Sequence, residues 1–124
     1  MTFHQFIQYH AYRLKAKNRH GIHSPFVYQL IDKCLLTNTH QPLTERLEGY
    51  FGKENLLSGT DTRLLNGENV LVVPSIHKDT EATKQWDDLR AENDVLLSID
   101  LFEVGLLITR PEFKEKQHFV LKTK

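Results

Sequence analysis

A chain of 124 residues has the length of one domain with one modest hydrophobic core. Its 40% hydrophobic and 26% charged residues exclude a disordered or fibrous class, and one cysteine excludes an internal disulfide. Lys plus Arg and Asp plus Glu number 16 each, so the net charge is zero, yet residues 1–33 hold Arg13, Lys15, Lys17, Arg19 and Lys33 against the lone acid Asp32.

Phe3, Phe6, Ile7, Ala11 and Leu14 recur at helical spacing and predict a helix over about residues 2–17, with Arg13, Lys15 and Lys17 at the end where cations complement the dipole. Residues 18–21 read as a stop, Gly21 being suited to a left-handed cap. Ser24 and Pro25 form the N-cap and first turn of a second helix over about residues 24–36, apolar at Val27, Leu30, Ile31, Cys34 and Leu35. Cys34 is expected there as a buried structural thiol. Pro42 opens a third helix, about residues 42–51, with Leu43, Leu47, Tyr50 and Phe51 on one face and Gly52 ending it. In residues 54–69 the signals weaken to a stub of strand around Leu56 and Leu57 and an Asn66-Gly67 turn.

The run beginning at Val70 predicts a strand over about residues 70–74, buried on both faces. A helix follows over about residues 78–91, started by Asp79, Thr80 and Glu81 and carrying Ala82, Gln85, Leu89 and the core anchor Trp86 along one side. Two strands at about residues 95–101 and 104–110, broken near Glu103 and Gly105, read as an antiparallel hairpin, and residues 117–122 as one more strand. The fold class is therefore α/β: one domain in which N-terminal helices (residues 1–53) pack on a small mixed sheet with one crossover helix (residues 54–124). Asp100 and Glu103 interrupt the longest apolar stretch, which is too short to span a bilayer, and no secretory signal pattern opens the chain, so a cytoplasmic protein without membrane contact is expected.

Two blocks carry a family resemblance. Residues 13–28, containing Arg13, His20, Gly21, His23, Ser24, Pro25 and Tyr28, resemble the opening of Bacteroidetes-type class I S-adenosylmethionine-dependent methyltransferases. Residues 70–123, with His77, Trp86, Asp100, Phe102, Gly105, His118 and Phe119, resemble the C-terminal end of the same family. The resemblance implies a truncated Rossmann-like fold that is internally shortened across the cofactor-binding centre. In that fold a glycine-rich turn lets backbone approach the nucleoside and an acidic residue holds the ribose. Here only Ser58, Gly59 and Thr60 stand where such a turn would begin, and they are the candidates for cofactor contact. Where relatives tend to carry acids after the strand at residues 70–74, this chain has Pro74 and Ser75, which can neither ligate a metal as carboxylates do nor act as a base.

The resemblance thus implies a methyltransferase-like remnant with no catalytic residues of its own and no bound cofactor, serving as an interaction or structural module and able to form a homo-oligomer. Two other readings stand beside it. One is an S-adenosylmethionine-dependent enzyme whose site a second chain completes. The other is an anion or nucleic-acid module using Arg13, Lys15, Lys17, Arg19, His20 and His23, against which a sequence pI of about 7.1 argues. His20 and His23 do not form a metal pair, because Gly21 breaks the helix that would align them. Asp100, polar in an apolar strand, is expected to face solvent, pair with a cation such as Arg110, or accept backbone hydrogen bonds at the bend.

Overall fold

The computed structural model describes residues 1–16, 24–37 and 40–123. Among them the order is α1 (Phe3–Lys15), α2 (Pro25–Leu30), α3 (Leu43–Phe51), β1 (Leu56–Ser58), β2 (Val70–Pro74), α4 (Thr80–Arg90), β3 (Leu97–Asp100), β4 (Val104–Ile108) and β5 (Gln117–Val120). Helix starts are where the capping chemistry predicts them. The Thr2 hydroxyl accepts from the Gln5 amide at 3.0 Å while the Gln5 side chain accepts from the Thr2 amide at 2.9 Å, a reciprocal capping box. Ser24 caps α2 through the Val27 amide and Asp79 caps α4 through the Ala82 amide. The second helix does not run on as α to residue 36: it widens into a π turn, Ile31–Leu35, which buries Ile31, Cys34 and Leu35. Gly52, at φ 90°, ends α3 as expected.

The five strands form one mixed open sheet in the order β1-β2-β4-β3-β5. β1 and β2 are parallel, β4 lies antiparallel between β2 and β3, and β5 is parallel to β3. The stub around Leu56 is thus an edge strand in its own right. The predicted strand starting at residue 95 begins only at Leu97; Val95 is buried outside it. A second correction concerns Gly105, which breaks nothing. It lies inside β4, paired with Val73 on one side and Asp100 on the other. A Cβ there would collide with the Trp86 ring, so glycine is what lets the indole sit flat on the strand.

Period-two alternation sorts the sheet into two faces. Val70, Leu97, Ile99, Leu106 and Ile108 join Val27, Leu30, Ile31, Leu35 and Leu47 of α2, the π turn and α3 in one core. Leu71, Val73 and Leu107 point the other way, onto Ile76, Trp86 and Leu89 at and within α4. Helices therefore cover both faces. α1 joins neither core cluster; it lies across the carboxyl ends of the parallel strands, touching α4 at one end and the end of β5 at the other.

Candidate functional site

The carboxyl edge of the sheet is where the chain departs most from ordinary backbone. Ser75, just past β2, has φ 54°, and Phe102, in the turn between β3 and β4, has φ 69°; these are the non-glycine residues at positive φ among those described. Side-chain-bearing residues rarely adopt this region unless their surroundings hold them there. Hydrogen bonds do so: the Ser75 amide donates to the Glu103 carbonyl at 2.9 Å, and the Phe102 amide donates to Asp100 Oδ1 at 2.8 Å.

Asp100 is buried at the end of β3, and its second carboxylate oxygen lies 2.7 Å from His77 Nε2. Asp100 thus accepts a backbone hydrogen bond at the bend, as the sequence allows, and its side-chain partner is a histidine rather than Arg110. Arg110 stacks instead over the Phe26 ring, 4.8 Å from its centroid, and sits 4.0 Å from Glu112. His77 is itself buried, and its ring stacks on Phe102 at 5.5 Å. Its Nδ1 is 3.1 Å from Thr83 Oγ1, which is also 2.9 Å from His4 Nε2 and donates to the Ile76 carbonyl at 3.1 Å. One polar chain therefore runs His4–Thr83–His77–Asp100, joining α1, α4, the loop after β2, and β3.

Carboxylate, imidazole and hydroxyl in sequence have the composition of a nucleophile-activating triad. The geometry assigns them another task. A reacting hydroxyl must have a free approach to its substrate, whereas Thr83 Oγ1 is held on three sides by His77, His4 and the Ile76 carbonyl. What this chain does is satisfy a buried carboxylate and pin α1 to the body.

Farther along the same edge, Tyr9 and Tyr12 of α1 pack on Phe102 at 5.1 and 5.5 Å, and the Tyr12 hydroxyl donates to the Leu121 carbonyl at 2.5 Å. Burial pushes the Tyr12 phenol up to about 12. Beside these rings runs a groove of about 620 Å³ lined by Arg13, Glu103 and Lys122 among others. Its rings are engaged with one another and its charges are of both signs, so it has no single polarity to offer a ligand.

The candidates from sequence do not converge on this edge as a set. Ser58 and Thr60 are exposed at the end of edge strand β1. Gly59 adopts φ 144° and its amide donates to the Val72 carbonyl at 3.0 Å, but nothing stands within 4 Å of where its Cβ would be. Glycine there serves a turn, not a close approach. Arg13 and Lys15 lie in the last turn of α1, with Arg13 over the Tyr9 ring at 5.9 Å, while Lys17, Arg19, His20 and His23 fall outside the described residues. Among the described residues no cluster of three His, Cys, Asp or Glu could hold a metal ion. No family model, curated protein or solved structure matches this chain. No helix among the described residues is long and apolar enough to cross a membrane.

Sequence reasoning found Asp100 and missed its partners. The signal was available in part: a carboxylate in an apolar strand demands a donor, and His77 follows β2, which ends one strand away across β4. That Thr83 and His4 would complete the chain could not be read, because it depends on where α1 lies across the sheet.

Proposed function

We propose that this chain is a methyltransferase-like remnant, with a truncated Rossmann-like fold, that has no methyl-transfer activity of its own and acts in the cytoplasm as an interaction module. The observation that carries the reading is the strand order. In open α/β sheets, ligands lie outside the carboxyl ends of the strands where the order reverses direction. Here the parallel strands advance one way only, β1 to β2, across through α4 to β3, then to β5, with β4 inserted by a hairpin. Such a sheet opens no reversal crevice, and α1 lies over the edge where one would be sought.

Further support comes from the outer side of α1. A helix tied down through His4, Tyr9 and Tyr12 presents Phe3, Phe6, Ile7 and Leu14 to solvent. An apolar stripe on a firmly held helix is a surface suited to another protein. The test is calorimetric titration of the folded chain with S-adenosylmethionine and S-adenosylhomocysteine. No saturable heat is expected; binding near one ligand per chain would overturn the reading in favour of an enzyme.

A further inference from the structure

We infer that the partner for the outer face of α1 is a second copy of this chain, bound through an antiparallel pairing of the two α1 helices about a two-fold axis. The inference rests on the interaction-module reading above and gives it an occupant. Phe3, Ile7, His10 and Leu14 follow one another at intervals of four, three and four residues, the seam spacing of packed helices. That seam is symmetric about its midpoint. Run antiparallel, it places Phe3 against Leu14 of the partner subunit and Ile7 against His10 of the partner subunit. Each contact occurs twice, which is what an isologous two-fold interface requires. The His10 ring already packs edge-on against Phe6 at 4.4 Å and so offers a largely apolar flank to the seam.

The area is that of a weak, concentration-dependent dimer. Phe3, Phe6, Ile7 and Leu14 are 81, 51, 48 and 89% exposed. At on the order of 150–200 Å² for a large apolar residue, they present roughly 470 Å² per copy and about 950 Å² for the pair, the size of transient rather than obligate interfaces. Electrostatics do not oppose it: α1 contains no acid, its cations Arg13 and Lys15 lie at one end, and Arg13 is turned onto Tyr9. Antiparallel dipoles attract. A lipid surface fits less well, because interfacial helices carry Lys and Arg along the polar face, whereas this helix presses Tyr9 and Tyr12 of that face onto Phe102.

Sedimentation equilibrium and light scattering on the full chain, from micromolar to submillimolar concentration, decide the matter. Expected is a particle of twice the 14.5 kDa chain mass. Ile7→Glu, at a position exposed in the single chain, is expected to weaken association at least a hundredfold with the circular dichroism spectrum unchanged. Adding His10→Lys to Ile7→Glu is expected to restore most of it, since each Glu then faces a Lys across the axis. A wild type that stays monomeric, a dimer indifferent to Ile7→Glu, or flotation of a monomer with anionic phosphatidylserine vesicles would each overturn the pairing. None of these would bear on cofactor binding; conversely, saturable heat with S-adenosylmethionine would sink the non-catalytic reading and leave a measured dimer standing.

Discussion

Replacing His77 by Phe keeps a ring stacked on Phe102 and removes the N–H that faces Asp100. The carboxylate, buried and left with the Phe102 amide at 2.8 Å, loses the partner that stood 2.7 Å away. Removing one member of a buried pair destabilises by about 3–5 kcal/mol. The surviving amide bond puts His77→Phe at the lower end, about 3 kcal/mol, and for a chain of this length each kcal/mol moves Tm by about 4 °C, or about 12 °C in all. Asp100→Asn keeps an oxygen for the Phe102 amide and removes the buried charge, so about 1 kcal/mol is expected. The double substitution should cost about 2 kcal/mol, less than the sum, because an amide tolerates the lost imidazole better than a carboxylate does. Thermal unfolding followed by circular dichroism, with urea titrations at 25 °C, measures all three. Additive losses, or a His77→Phe shift under about 4 °C, would refute the claim that these two groups sustain each other.

Other expectations follow from single contacts. Gly105→Ala forces a methyl into the Trp86 ring and should lower stability by about 1–3 kcal/mol, with the loss shrinking in a Trp86→Leu background; equal losses in both backgrounds would separate the two residues. Burial pushes the Cys34 thiol up from 9.0 to about 11, so iodoacetamide at pH 8 should react about a hundredfold more slowly than with free cysteine and recover its rate in urea. The same raised values give stability a sign with pH: Cys34 and Tyr12 stay protonated in the fold, so their contribution is complete below pH 9, the unfolded value of the thiol, and is lost on the way to pH 12. Urea midpoints across that range should fall with rising pH; flat midpoints contradict the burial of both groups. Thr2→Ala removes the capping box and should cost about 1 kcal/mol, seen first as faster hydrogen exchange at the Gln5 amide.

The local elements were legible where one pattern dominated. Ser24-Pro25, Pro42 with Gly52, and Asp79 each marked a helix end through chemistry confined to a few neighbouring residues, and the structure uses them so. Gly105 was misread because its reason is not local. A glycine in an apolar run looks like a break, and only the indole of Trp86, nineteen residues earlier in the chain, shows that it is a seat. Likewise, the apolar spacing of residues 3–14 identified a helix but not what it packs on: its large apolar residues stay outside while Tyr9 and Tyr12 make the contacts inward. Periodicity identifies a face; what the face meets is decided by the rest of the fold. The same holds for the polar chain from His4 to Asp100, whose members lie on four separate segments.

The most direct check on the non-catalytic reading is a pair of amide nitrogen–proton correlation spectra of the folded chain, recorded with and without excess S-adenosylmethionine. The amides of Ser58, Gly59 and Thr60, and those of Ser75 and Phe102 at the carboxyl edge, are expected to keep their positions. Concentration-dependent, saturating shifts at any of these would mean that the chain still holds a nucleoside, and would contradict the non-catalytic reading.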